Sequence, residues 1–351
     1  MINYPIKFSA AVLTKINKPL QIKELEFKGP LRRGQILVRL FYSGICGKQI
    51  DEITGVGGKD DFIPHLLGHE GTGVILDIGP GVKKVKKNDH VVLHWMKGSG
   101  IQSETPKYYE KKKIINAGWV TTFNELAVIS ENRLTKISKK SNHRNLTLYG
   151  CAVTTGCGVV FNQTSINKKT NIAIFGCGGV GLFALQAAKI FNPKNLVAID
   201  INKKALLMAK KLGASQLINS SSKNFDKKIQ NITNNKGFDY IISTVGNNKA
   251  ISESLKYLST PGKYIQVGVP KKNTFVKVDF WKVMHCSNIT GSLGGKTFPD
   301  KDIPYVLDLE KKKKINVSRL ISKIYKFKQI NLAIERVRKQ KSFGRVLIKF
   351  I

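Results

Sequence analysis

The sequence predicts an α/β protein with two domains: a β-rich domain and a doubly wound parallel sheet flanked by helices. At 351 residues, the chain is long enough to form two domains with substantial cores. Up to about residue 150, short β-branched runs are separated by Gly, Pro and Asp, as in strands joined by turns. After that point, strand-like and helix-like runs alternate, which is the pattern of βαβ units.

The β-rich domain is predicted over residues 1–152 and is completed by residues 293–351. Its strand-like runs are QILVRLFYSGI, GTGVILDIG, DHVVLHW and FNELAVI. From about residue 293 the sequence becomes irregular and ends in the apolar run RVLIKFI. We expect this last run to be a strand that rejoins the first domain.

The second domain is predicted over residues 153–292. NIAIFG leads into VGLFALQAAKIF, NLVAID into KKALLMAKKLGA, and FDYIISTVG into AISESLKYL, while GKYIQVGV supplies a further strand. The most apolar stretch, residues 171–188, is interrupted by glycines. It therefore predicts a buried strand, a turn and a helix start, not a membrane span.

Composition excludes some classes of function. The net charge of +36 suggests nucleic acid, but the basic residues are almost all lysine, spread through every segment and not interleaved with aromatic residues. We therefore expect a solvated basic surface, with neither a nucleic-acid nor a membrane partner.

The number of cysteines bears on the redox environment. The five cysteines are an odd number, and no secretory pattern follows the first Met. This favours a reduced, cytoplasmic protein.

A glycine-rich loop predicts a dinucleotide site. Gly176, Gly178 and Gly181 have GxGxxG spacing between a predicted strand and a predicted helix. Gly176 permits a tight turn, Gly178 lets the backbone approach a pyrophosphate, and Gly181 allows close packing of helix on strand. The phosphates would lie at the helix N-terminus, next to Gly179. A purely structural glycine turn is the alternative.

Asp200 indicates which dinucleotide is bound. It ends the strand that follows the glycine loop, where a carboxylate accepts hydrogen bonds from the adenosine ribose and repels a 2′-phosphate. Lys203 and Lys204 offset some of this repulsion. The sequence therefore favours NAD over NADP.

Three residues in the first domain are candidate metal ligands: Cys46, His69 and Cys151, each next to glycine. Each one alone is more often a buried Cys or a loop His. Together they offer two thiolates and one imidazole, which suit a catalytic Zn²⁺ with its fourth position open.

The chain resembles the zinc-dependent alcohol dehydrogenases of the medium-chain dehydrogenase/reductase superfamily over nearly its full length. The resemblance is carried by GICG at 44–47, GHEGTGVILDIGPGVKKVKKNDHVV at 68–92, GCAVTTG at 150–156 and GCGGVG at 176–181. It implies a GroES-like catalytic domain, a Rossmann domain, and a dimer or tetramer formed through the nucleotide domain.

The resemblance also implies roles for individual residues. Cys46, His69 and Cys151 would hold one catalytic zinc, and Glu70 would be a carboxylate that supports the site. Thr155 and Val180 would contact the nicotinamide, and TGSLGG (290–295) would lie near the cofactor.

The function expected from these motifs is transfer of a hydride between NAD and an alcohol or polyol, or the matching aldehyde or ketone. One alternative is an S-(hydroxymethyl)glutathione-type formaldehyde dehydrogenase, whose anionic substrate would suit a basic surface. A zinc-free quinone or enoyl reductase would not need the three candidate ligands. A non-catalytic nucleotide-binding protein also stays open.

Two departures from the family pattern matter. The Ser or Thr that passes the substrate proton outward is Lys48 here, the His three residues later is Asp51, and the acidic residue after that Ser or Thr is Gln49. Lys48 could take up the proton itself, bind an anionic or hydroxyl-rich substrate, or be a peripheral surface residue.

The other departure is in residues 97–117, where relatives place four cysteines around a structural zinc and this chain has none. One zinc per chain is therefore predicted, with this lobe either packed in the ordinary way or mobile. His94 and Trp95 fall where relatives line the substrate pocket, although strand-end packing explains them equally well.

Overall fold

The computed structural model describes residues 2–339 and 344–350, which form two compact units. The first unit spans Met1–Cys151, Phe298–Ile303 and Val317–Ile351, and the second spans Ala152–Thr297 and Pro304–Asn316. Our predicted boundaries assign 293–351 to the first domain as one piece, whereas here residues 293–297 and 304–316 group with the second unit. The mixed α/β class with a parallel-sheet unit is confirmed.

The strands of the described residues are β1 (Ile6–Leu13), β2 (Gln21–Phe27), β3 (Gln35–Ile45), β4 (His65–Leu66), β5 (Glu70–Ile78), β6 (His90–His94), β7 (Lys107–Glu110), β8 (Lys113–Asn116), β9 (Leu126–Ser130), β10 (Leu134–Ile137), β11 (Asn171–Phe175), β12 (Asn195–Asp200), β13 (Gln216–Asn219), β14 (Phe238–Ser243), β15 (Leu258–Gln266), β16 (Asn288–Gly291), β17 (Ile321–Lys326) and β18 (Arg345–Lys349).

The α-helices of the same residues are α1 (Gly47–Thr54), α2 (His143–Leu146), α3 (Ala152–Gln163), α4 (Gly179–Lys189), α5 (Lys203–Leu212), α6 (Phe225–Thr233), α7 (Asn248–Leu255), α8 (Phe280–Met284), α9 (Pro299–Lys311) and α10 (Ile330–Arg338). None of the helices described is both long enough and apolar enough to cross a membrane.

The first unit contains two sheets. Strands β1, β2, β7, β8 and β4 close into a barrel, and a second sheet has the order β10-β6-β5-β3-β18-β17, with β9 also paired to β3. Strands β5 and β18 both run antiparallel to β3. The end of β3 therefore lies beside the starts of β5 and β18, and the loops at this edge carry the candidate metal ligands.

The cysteine-free lobe at 97–117 is held by ordinary packing. Tyr108 on β7 and Ile115 on β8 are fully buried in one apolar cluster with Phe8 and Phe27 of the barrel. The rings of Phe8 and Tyr108 meet edge to face with centroids 5.3 Å apart. In the first unit this packing takes the place that the resemblance gives to four cysteines.

The expectation that the sequence is irregular after residue 293 is wrong, because α9 and α10 form there. Two prolines and a run of lysines hide the helical pattern of α9. Pro299 is its first residue, where a missing N–H costs nothing, and Asp300 and Asp302 favour the positive end of the helix dipole.

The second unit is a six-stranded parallel sheet in the order β13-β12-β11-β14-β15-β16. The strand order reverses between β11 and β14, and the crevice at the carboxyl ends of such strands is where open α/β sheets bind ligands. The glycine loop follows β11 at this point.

Candidate active site

The three candidate metal ligands lie together in the first unit. The ligand atoms of Cys46, His69 and Cys151 all fall within 4.8 Å of one another. Cys46 directly follows β3, His69 directly precedes β5, and Cys151 comes just before α3. Pairing of β3 with β5 thus brings Cys46 and His69 together, although they are distant in the chain.

Glycines let the backbone pack closely around this cluster. A Cβ atom at Gly44 would lie 2.3 Å from Oε1 of Glu70, and one at Gly150 would lie 2.2 Å from the carbonyl oxygen of Leu93. Any larger residue at either position would push the strands apart. Gly44 and Gly150 therefore have a steric role near the candidate ligands, whereas a Cβ atom at Gly47, next to Cys46, would meet nothing within 4 Å.

The donor set fits a zinc ion. His69 Nε2 is buried and has no hydrogen-bond partner within the described parts of the chain, although buried polar atoms are normally paired. Two sulfurs and one imidazole nitrogen form the neutral three-ligand set that leaves one position open on a tetrahedral ion. These residues would hold a catalytic zinc.

A buried ion pair supports the cluster, and one of its members was missed from the sequence. Glu70 is fully buried, and Nε of Arg345 lies 3.0 Å from its Oε1. Nη2 of Arg345 also lies 3.6 Å from the Cys151 sulfur. An arginine within an apolar strand of a lysine-rich chain was the available signal, because a guanidinium tolerates burial better than an ammonium.

Neighbouring groups shift the pKa values of the candidate ligands. The hydrogen bond with Cys151 and the charge of Arg345 lower the pKa of Cys46 well below its ordinary value. The same contact with Cys46, together with burial, raises the pKa of Cys151. Burial alone lowers the pKa of His69, but interaction with the Cys46 thiolate outweighs it and raises that pKa. The Cys46 thiol therefore loses its proton readily, and a bound cation would favour loss of the proton from Cys151 as well.

Lys48 is exposed on α1 and lines a cavity of about 200 Å³ with Asp51 and Glu52. Burial raises the pKa of both carboxyl groups, while the Lys48 ammonium acts in the opposite direction. The Cys46 thiolate also raises both pKa values, so the cavity lies within electrostatic reach of the metal cluster.

His94 and Trp95 have different surroundings. His94 is 1 % exposed, and its two ring nitrogens contact the Met96 carbonyl at 2.8 Å and the Thr135 hydroxyl at 3.1 Å. These contacts are those of strand-end packing. The centroid of the Trp95 ring lies 6.4 Å from that of the His69 ring, so Trp95 lies close to the metal cluster.

The second unit carries the glycine loop between β11 and α4. Gly176 has φ +90°, and a Cβ at Gly181 would lie 1.9 Å from the Gly176 carbonyl oxygen. A Cβ at Gly178 would meet nothing within 4 Å. The fold thus requires glycine at positions 176 and 181. At position 178 the glycine leaves open space in front of the N-terminus of α4, which begins at Gly179.

Asp200 ends β12 next to this loop. Its Oδ2 accepts a hydrogen bond from the Cys177 amide at 2.6 Å, and its Oδ1 accepts one from the Asn202 amide at 2.7 Å. Each carboxylate oxygen retains a second lone pair. Asp200 also lines a cavity of about 410 Å³ with Phe175, Ile199 and Phe225. This cavity is mostly apolar, as an adenosine site requires.

The other predicted cofactor contacts lie in the same unit. Thr155 on α3 is buried, and its hydroxyl has no partner among the residues described. A Cβ at Gly295 would lie 2.6 Å from the Thr155 carbonyl oxygen, and one at Gly156 would lie 2.4 Å from the Val180 carbonyl oxygen. Thus α3 packs closely against both the 290–295 loop and the start of α4.

Comparison with known proteins identifies the family. Residues 32–139 match the alcohol dehydrogenase GroES-like domain, and residues 179–312 match the zinc-binding dehydrogenase family. The S-(hydroxymethyl)glutathione dehydrogenase of Haemophilus influenzae is 28% identical, with 99% of this chain and 98% of that protein covered. The enzyme of the same name from Synechocystis sp. is 31% identical over 65% of this chain and 67% of its own length.

A solved structure of an alcohol dehydrogenase has the same fold. The benzyl alcohol dehydrogenase of Acinetobacter calcoaceticus matches with a TM-score of 0.89 and 26% identity, covering 99% of this chain and 100% of that one. The chain belongs to the zinc-dependent medium-chain alcohol dehydrogenase family, whose members are NAD-dependent oxidoreductases acting on CH–OH donors. It is a zinc-dependent oxidoreductase of alcohols or aldehydes.

Proposed function

We propose that the chain oxidises a hydroxyl-rich alcohol with NAD, or reduces the matching carbonyl compound, at a single zinc held by Cys46, His69 and Cys151. The convergence of two sulfurs and one imidazole within 4.8 Å carries this proposal. A zinc-free reductase of the same family would have no use for this cluster.

A bound zinc supplies Lewis acidity toward the substrate oxygen, so that a hydride can pass between the carbinol carbon and the nicotinamide. The chain's own residues prepare the centre. Arg345 compensates the negative charge of Cys151 and Glu70, and burial of Glu70 keeps that carboxylate oriented. Lys48, at the exposed start of α1, takes the position from which the substrate proton is passed to solvent.

The geometry around Asp200 supports NAD as the cofactor. Its carboxylate is fixed by the Cys177 and Asn202 amides and faces the apolar cavity next to the glycine loop. A fixed negative charge there repels a 2′-phosphate and accepts hydrogen bonds from ribose hydroxyls. Gly178, Gly179 and the following amides of α4 would receive the pyrophosphate, and Thr155 and Val180 the nicotinamide.

The cavity beside α1 supports a polyol over an anionic substrate. Lys48 offers hydrogen-bond donors, and Asp51 and Glu52 offer acceptors, so that the cavity combines opposite charges. Neutral hydroxyl groups can bind both kinds of side chain, whereas an anion would be repelled by the two carboxylates.

A second candidate is the oxidation of S-(hydroxymethyl)glutathione. The observation in its favour is that the Haemophilus influenzae relative with this name matches the chain over nearly its full length. This substrate carries carboxylates, and it would therefore use Lys48 and the other lysines of the first unit as its partners.

We also propose a cytoplasmic homodimer or homotetramer formed through the second unit. Strand β16 is an edge of the six-stranded sheet, and apolar side chains near it are exposed, including Phe280, Trp281 and Ile289. A two-fold axis at such an edge would continue the sheet into a second copy. Light scattering of Ile289→Lys against the wild type tests this.

The test of function combines metal content with turnover. Purified protein is assayed with NAD and NADP against alcohols, polyols and S-(hydroxymethyl)glutathione, with and without a chelator. We expect one zinc per chain, loss of that zinc in Cys46→Ser, and chelator-sensitive reduction of NAD by a polyol. Zinc-independent turnover would overturn the assignment, and bound NAD without any turnover would indicate a sensor.

A separate variant tests the role of Lys48. Lys48→Met should change the turnover rate and its pH dependence, and an unchanged pH profile would make Lys48 a peripheral surface residue.

A further inference from the structure

Gln49 joins two of the proposed zinc ligands. It lies on the first turn of α1 and is 1 % exposed. Its Oε1 accepts a hydrogen bond from the Cys46 amide at 2.8 Å, and its Nε2 lies 2.6 Å from Nδ1 of His69. The side chain thus contacts the backbone of one ligand and the ring of another.

The chemistry of these groups fixes the direction of both hydrogen bonds. The Cys46 amide can only donate, so the single acceptor of the Gln49 amide must face it. The NH₂ group then faces Nδ1 of His69, which must accept. In a neutral imidazole the proton is therefore on Nε2, the buried nitrogen that has no partner in the described residues.

This arrangement conflicts with metal binding. A histidine that coordinates through Nε2 carries its proton on Nδ1 and donates it to an acceptor. At Gln49 that proton would meet an NH₂ group, so two donors would face each other across 2.6 Å. Turning the amide by 180° relieves this clash, but it then sets the NH₂ group against the Cys46 amide.

We propose that Gln49 is a positioning residue that weakens zinc binding, because the bound state must give up one of its two hydrogen bonds. A carboxylate of the same length would accept from both the Cys46 amide and Nδ1 and would satisfy the bound state fully. This inference rests on the proposed ligand set. It predicts a centre that binds zinc more weakly than one with a carboxylate at this position.

The test is the zinc dissociation constant of the full chain, measured by competition with a chromophoric chelator. Gln49→Glu should bind zinc about 10- to 100-fold more tightly, the range by which such outer contacts alter metal affinity. Gln49→Met keeps the side-chain length and removes the opposing NH₂ group. It should bind zinc no more weakly than the wild type, whereas a loss of tenfold or more would overturn the proposal.

A matched control separates hydrogen bonding from charge. Lys48→Gln changes the net charge by the same one unit at the adjacent exposed residue, without touching Cys46 N or His69. It should shift the zinc dissociation constant by less than about threefold. A shift as large as that of Gln49→Glu would assign the effect to charge and overturn the proposal.

Replacement of zinc by Co²⁺ reports on the ligand set itself. Thiolate-to-cobalt absorption in the wild type, and its loss in the double variant Cys46→Ser with Cys151→Ser, are expected. Their absence would overturn the ligand set and with it the proposed function. Their presence with unchanged affinities in the Gln49 variants would overturn only the inference about Gln49. Thermal melting of each variant shows that the comparison is between folded proteins.

Discussion

Replacing two glycines of the same loop should separate the fold from cofactor binding. Gly178→Ala places a Cβ atom in open space, at a position with φ −77° that alanine adopts without strain. Gly181→Ala places a Cβ atom 1.9 Å from the Gly176 carbonyl oxygen. The first change should therefore affect binding of NAD, and the second should affect the folded structure of the second unit.

The magnitudes follow from these distances. Atoms in ordinary contact are about 3.5 Å apart, so Gly181→Ala needs α4 and the loop to separate by more than 1 Å. Overpacking of this kind costs about 1–3 kcal/mol, and a rigid carbonyl oxygen places it at the upper end. Gly178→Ala should alter stability by less than about 0.5 kcal/mol. It should raise the Kd for NAD at least tenfold, about 1.4 kcal/mol, by keeping a pyrophosphate from the helix N-terminus.

Urea unfolding without cofactor and calorimetric titration with NAD measure the two effects separately. Gly118→Ala, which also adds a Cβ atom without a close contact but lies in the first unit, is the control for Gly178→Ala. The reasoning fails if Gly178→Ala binds NAD as the wild type does, or if Gly181→Ala unfolds at the wild-type urea concentration. The first result would move the pyrophosphate elsewhere, and the second would show that α4 adjusts freely.

Three further predictions concern other residues. Arg345→Met removes the cation facing buried Glu70 and should cost about 3–5 kcal/mol of first-unit stability, with much less further loss in the double variant with Glu70→Gln; additive losses in urea unfolding would refute the coupling. Burial lowers the pKa of His94 to about 4, so the unfolded chain binds a proton between pH 6.5 and pH 4 that the folded unit does not, and stability should fall over that window by about 3 kcal/mol. His94→Gln should remove that part of the slope, and an unchanged slope would assign it elsewhere. Asp200→Asn should reduce the preference for NAD over NADP about tenfold or more, as measured by the ratio of kcat/KM values, and an unaltered ratio would place cofactor selection outside β12.

Much of the fold could be predicted from local patterns. The βαβ rhythm after residue 150 predicted a parallel sheet, and six parallel strands are present. The helices α9 and α10 could not be predicted in the same way. In α9 the buried positions Ile303, Val306 and Leu309 have helical spacing, but Pro304 lies between them and a run of lysines follows them, which obscures the pattern. Such a helix is stabilised by tertiary packing of its apolar face, which no local pattern reports.

The candidate ligands could be found from the sequence because cysteine and histidine are chemically distinctive, whereas the residues that support them are common types. Arg345 lies almost two hundred positions after Cys151 and reaches it only because β18 pairs with β3.

Gln49 shows a further limit of prediction from the sequence. The sequence reveals that an amide replaces a carboxylate, but not whether the amide supports or opposes the metal. That answer depends on the Cys46 amide, which takes the only acceptor of the Gln49 side chain and leaves His69 facing a donor. The consequence of a substitution next to a metal is therefore set by the hydrogen-bonding polarity of its neighbours, and the backbone supplies the decisive group.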